Sequence, residues 1–133
     1  MKKKTIIIVI LLVLIVLTSL IVINIKRVQI NTNSKVILVY KYSDKDIDVE
    51  LTEEESNKII ELFNGKVLLK DNPSCGFDKD VSFIINGNYY EIAEDGCGII
   101  YSDRENRYIR LSNKEKEIYK EIMDKYGAKC PCV

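Results

Sequence analysis

Apolar residues fill the first part of the chain without interruption and then thin into short, patterned runs. Thr5 to Ile25 reads TIIIVILLVLIVLTSLIVINI, 21 residues without a charge. A bilayer core about 30 Å thick needs about 20 apolar residues at 1.5 Å each, so the run is long enough to span. A cleavable signal peptide usually has an apolar region of roughly 7–15 residues ending in a small-x-small site. Here Thr18-Ser19 is followed at once by Leu20-Ile21-Val22-Ile23, so an uncleaved anchor over residues 1–27 is expected.

Beyond Arg27 the pattern shortens. Gln29 to Ser34 is polar and reads as part of a short stalk over 28–34. Val36 to Tyr42, VILVYKY, is β-branched and aromatic. After a Ser43–Asp46 turn, Ile47 to Leu51 alternates apolar and acidic with period two, the mark of a half-buried strand. Thr52-Glu53-Glu54-Glu55 is a capping box, and Ile59, Ile60, Leu62 and Phe63 give the next segment a helical stripe that stops at Asn64-Gly65. Lys66 to Leu69 predicts a short strand, followed by a loop from Asp71 to Gly76.

Two strands flank Asn86-Gly87, a strong hairpin signal. Ile99–Tyr101 and Arg107–Leu111 form a third strand pair. Ser112-x-x-Glu115 is a second capping box, heading a helix with Ile118, Tyr119, Ile122, Met123 and Tyr126 on one stripe and a glycine stop at Gly127. The two ends of this region resemble each other: each is a hairpin feeding a capped helix closed by glycine, the form a duplication or a twice-used local motif would take. The expected fold is α+β: an N-terminal transmembrane helix, then a small, mostly antiparallel sheet with two amphipathic helices on one face, residues 35–133 forming the domain.

Charge changes the picture next. The chain is formally neutral, but five of its 20 basic residues lie at positions 2–27 and all 20 acidic residues lie after position 43. From Val28 onward there are 15 basic and 20 acidic residues, a net charge of −5. Nucleic-acid binding needs clustered Lys and Arg against phosphates, so it is not expected. The lysines at 2–4 favour an N-terminus inside and a domain outside, on a single-pass cell-membrane protein anchored through residues 5–25.

That location bears on the four cysteines, because an even number in an oxidising compartment usually means disulfides. If Ile85 faces Asn88 across the Asn86-Gly87 turn, the extended ladder brings Cys75 opposite residue 98, one position from Cys97. Cys130 and Cys132 remain at the tail. They would bond to each other across Pro131, or one would reach the Cys75–Cys97 end of the hairpin. A strained C-x-C ring would be reducible, which leaves thiol–disulfide exchange by Cys130 and Cys132 as the second reading. Against it, the pair follows a helix and has no helix N-terminus to lower a thiol pKa.

Other chemistry is thinly represented. Histidine is absent, which removes Ser-His-Asp and Cys-His systems. Asp44, Asp46, Asp48 and Glu55 fall on positions 1, 3, 5 and 12 of a calcium loop, but Val49 stands where that loop turns on glycine, so a strand and a capping box are the better reading. No catalytic residue, metal site or cofactor is expected. Tyrosine is abundant, and Tyr40, Tyr42, Tyr89, Tyr90 and Tyr108 are candidates for a protein-binding face on the strands.

Asn72-Pro73-Ser74-Cys75-Gly76-Phe77, Asp95-Gly96-Cys97, Lys125-Tyr126-Gly127 and terminal Pro131-Cys132-Val133 resemble a group of small, signal-anchored, cysteine-containing extracytoplasmic proteins of Gram-positive bacteria. The resemblance covers about Leu51 to Val133 and implies a compartment and a cysteine framework at Cys75, Cys97 and Cys132, but no reaction. Members of that group carry further cysteines near the positions of Glu91 and Glu94 and an aromatic where Cys130 stands. The expectation is therefore a membrane-anchored extracytoplasmic binding or interaction domain held by disulfides, with an unknown protein partner.

Overall fold

A computed structural model of the chain describes residues 2–70 and 73–129. Its elements are α1 (Lys2–Asn24), β1 (Val36–Tyr42), β2 (Lys45–Glu50), α2 (Glu53–Phe63), β3 (Val81–Ile85), β4 (Asn88–Ile92), β5 (Ile99–Ser102), β6 (Arg107–Arg110) and α3 (Asn113–Lys125). The six strands form one open antiparallel sheet in the order β2-β1-β3-β4-β5-β6. The fold is α+β, as the sequence predicts. The two similar hairpins, β1–β2 and β5–β6, take the outer places and β3–β4 lies between them.

Period two decides which side chains enter the core. Val36, Leu38 and Tyr40 of β1, Val81, Phe83 and Ile85 of β3, Tyr90 and Ile92 of β4, Ile100 of β5 and Ile109 of β6 share one face and are buried against both helices. Phe63 of α2 anchors that layer, with its ring 5.2 Å from Tyr90 and 6.2 Å from Phe83. Tyr119 and Met123 supply the equivalent contacts from α3 and are fully buried.

Both capping boxes form: Thr52 and Ser112 each accept from the amide three residues on, and Glu55 and Glu115 reach back to the cap amides. The helices run antiparallel, since Lys66 just beyond α2 pairs with Glu115 at the start of α3 at 2.6 Å, while Lys125 at the end of α3 meets Glu55 at the start of α2.

Three readings need correction. β2 begins at Lys45, two residues before the alternating run, because the β1–β2 turn is only Ser43–Asp44. Lys66–Leu69 is not a strand but two isolated bridges, Val67 to Arg27 and Leu69 to Tyr108. Residues 28–34 are not a free stalk: Val28 and Ile30 are buried in the core, and the Val28 amide donates to the Lys66 carbonyl at 2.9 Å. Their two apolar side chains sit among polar neighbours in a segment too short to show periodicity. The domain thus begins two residues after α1.

α1 itself is exposed along its whole length, and its most apolar window has a mean hydropathy of 3.7. Among the described residues it is the one helix long and apolar enough to cross a membrane, a property that an anchor and a signal sequence share.

Candidate functional site

The sheet face turned away from the helices is not bare. Asp78 to Asp80 lead into β3, and the segment before them crosses that outer face. The Gly76 carbonyl accepts from the Glu94 amide at 3.0 Å, and the Ser82 hydroxyl donates to the Lys79 carbonyl at 2.6 Å. Phe77 sets its ring 5.9 Å from Tyr101 and 5.5 Å from Tyr108, which are themselves 5.2 Å apart. The Lys79 ammonium stands 4.8 Å from the Tyr89 ring centre and 3.8 Å from Asp103. Under this strap Ser82 and Glu91 are buried. Burial pushes the Glu91 carboxyl above its ordinary range; Lys79 opposes the shift, and Asp103 and Asp78 add to it.

At one end of the strap Cys75 and Cys97 come together, their sulfurs 2.8 Å apart, both as thiols. The hairpin register that predicted this meeting is present: Ile85 faces Asn88 and Ser82 faces Glu91. Asp95 belongs to the same corner, accepting from the Cys97 amide at 3.0 Å. Burial, then the Asp95 carboxylate, then Cys75 push the Cys97 thiol up to about 12. Hydrogen bonding from Cys97, and secondarily from Cys75, lowers Asp95. A thiol held this firmly is a weak nucleophile, because the thiolate is the attacking species.

Donor atoms of Cys75, Asp95 and Cys97 lie within 4.8 Å of one another, a set that could hold a metal ion. Tetrahedral zinc with bonds of about 2.3 Å would hold two sulfurs about 3.7 Å apart. The sulfurs are spaced more closely than that, and their nearest chemistry is two-electron oxidation to a bond with each other.

The proposed tyrosine row does not assemble. Tyr40 and Tyr90 point into the core and are buried there, because their parity on β1 and β4 matches Leu38 and Ile92. Tyr42 is exposed at the end of β1, with its ring 6.3 Å from Tyr40. Tyr89 and Tyr108 lie on the outer face, half-buried; Tyr108 clusters with Tyr101 and Phe77, which the sequence pattern does not single out, while Tyr89 lies under the Lys79 ammonium instead. Strand parity carried across the register from Ile84 opposite Tyr89 would have sorted these residues. Phe77 had no such signal, since it lies in a loop.

Cys130 and Cys132 fall outside the described residues. The chain reaches them from Gly127, whose carbonyl accepts from the Lys45 ammonium at the β1–β2 turn. Cys97 lies between β4 and β5, on the far side of β1, β3 and β4. A groove of about 860 Å³ runs between the start of α2 and the end of α3 and is lined by Glu53, Glu54, Lys58, Glu121 and Lys125 among others. It is open and charged, unlike the enclosed apolar pockets that bury small substrates.

No protein-family model, no curated protein and no solved structure matches this chain.

Proposed function

We propose that the chain is a membrane-anchored, extracytoplasmic binding or interaction domain stapled by cysteines. One observation carries the reading: α1 exposes its apolar side chains on all sides, and no part of the described domain covers them. In water that surface is unfavourable by about 25 cal/mol for each Å², so a bilayer is its natural environment. The domain that follows holds Cys75 and Cys97 in reach of each other, as an oxidising compartment would use them. It offers an open groove and a strapped sheet face, surfaces suited to a partner protein more than to a small substrate.

Location is tested with a membrane-impermeant maleimide on intact cells, before and after reduction. The expected result is retention in alkali-washed membranes and labelling from outside after reduction. Labelling that requires permeabilised cells overturns the reading. Binding is tested by placing a photo-crosslinking residue at Tyr42 or Tyr89, where one discrete heavier species is expected.

The alternative, thiol–disulfide exchange through Cys130 and Cys132, predicts trapped mixed disulfides when either of those two cysteines is changed to serine. The protonated state of Cys97 argues against the Cys75–Cys97 pair itself as the exchanging couple.

A further inference from the structure

The sheet has two edges, and the chain treats them differently. Along β6, Tyr108 exchanges two backbone hydrogen bonds with Leu69, at 2.8 and 3.0 Å, so the segment after α2 covers that edge. Among the described residues, β2 has a strand neighbour on one side only. Its hydrogen-bonding phase follows from two contacts: Leu51 donates to Val36, and on the other side of β1, Lys41 donates to Asp80. In an antiparallel ladder bonded pairs alternate with unbonded ones. Leu38–Val49 and Tyr40–Ile47 are therefore the bonded pairs, while Ile37–Glu50, Val39–Asp48 and Lys41–Asp46 are not. The amides and carbonyls of Asp46, Asp48 and Glu50 face outward from the edge.

Those same three residues carry acidic, exposed side chains on the outer face of the sheet. Between them Ile47 and Val49 point to the inner face, half-buried, and pack against the core. A strand laid on this edge meets a strict alternation: a negative charge with a free hydrogen-bonding pair, then an apolar half-site. A second copy of β2 would set acid against acid along the whole ladder, which is destabilising. Lys35 and Lys41 flank the acids, with Lys35 bonded to Glu50 at 2.8 Å, and leave the row acidic on balance.

We propose that the β2 edge is a docking strand for an extended segment of a partner protein with alternating basic and apolar residues, joined by β-strand addition. The proposal rests on the reading of the domain as a binding module and names the chemistry of its partner. Backbone bonds to Asp46, Asp48 and Glu50 supply affinity; the carboxylates and the Ile47–Val49 half-sites supply selectivity.

The probe is an acetylated, amidated peptide of alternating lysine and valine, seven residues long, added to the full chain in detergent micelles, with amide hydrogen exchange read by NMR. The amides of Asp46, Asp48 and Glu50 should slow by about tenfold or more at saturation, as expected when open edge amides gain partners. D46K combined with D48K should weaken binding by about tenfold or more, and added salt should weaken wild-type binding. A second arm leaves the protein unchanged: N-methylation at the lysine positions, whose N–H groups would face β2, should abolish binding, and at the valine positions it should not. The proposal is overturned if a glutamate–valine peptide binds as well, if the protected amides lie elsewhere, or if the β2 amides are already protected in concentrated protein without peptide, which would assign the edge to a second copy. Membrane retention and surface labelling are read without any peptide, so their outcome is independent of this one.

Discussion

Glu55 and Glu91 are almost equally buried, at 7% and 5% exposure, yet they shift in opposite directions. Burial alone would raise both. At Glu55, hydrogen bonds from Lys125, from the Tyr126 hydroxyl at 2.7 Å and from the Thr52 amide at 3.0 Å outweigh it and hold the carboxyl at about 2. At Glu91 burial wins. Glu55 has a folded value below its ordinary one, so its contribution is present above the ordinary value and is lost as pH falls toward 2. Glu55→Gln should therefore cost on the order of 2 kcal/mol at pH 7, with the deficit closing in acid, in urea unfolding across pH. Glu91 has the reverse sign: its contribution is present below the ordinary value and is lost as pH rises through the raised one. Glu91→Gln should raise the melting temperature at pH 7 and leave it unchanged near pH 4, read in thermal melts across pH.

At the scale of elements, local chemistry did most of the work. Thr52→Ala and Ser112→Ala should each cost about 1 kcal/mol in chemical denaturation, since each removes the hydroxyl that accepts from the Glu55 or Glu115 backbone amide. Both boxes, the Asn86-Gly87 register and the two amphipathic stripes were legible in the sequence because each depends on residues within about four positions of one another. The tyrosines were not. Tyr89 and Tyr90 are neighbours in sequence and face opposite sides of β4, so a list of tyrosines on strands mixes core with surface. Long-range choices stayed hidden for the same reason. The strap that lays Phe77 on Tyr101 and Tyr108 is set by tertiary packing and leaves no periodic trace. Gly98 is a turn position that only glycine serves: φ is +79°, and an added Cβ would lie 2.5 Å from Lys116.

For the whole molecule, two ties decide stability. Oxidation of Cys75 and Cys97 would close a loop spanning 22 positions, worth about 3 kcal/mol by chain entropy. Cys75→Ser and Cys97→Ser should each lose that amount under oxidising conditions, the double variant should be no worse than either, and reductant should bring the wild type to the same stability. Equal stability of the wild type with and without reductant would show that the sulfurs remain thiols. The second tie is the start of the domain. A chain beginning at Lys26 keeps Val28 and Ile30, whereas one beginning at Asn31 forfeits both and should be about 3–5 kcal/mol less stable by thermal or urea melts.

That second tie also governs reach. Arg27 pairs with Val67 and the Lys26 carbonyl accepts from Leu68 at 2.9 Å, so folded structure begins within two or three residues of α1. On the proposed insertion the domain has no tether to swing on and sits against the lipid headgroups. Its search is confined to a thin layer at the membrane, where proteins sharing the bilayer are met far more often than anything dissolved beyond it.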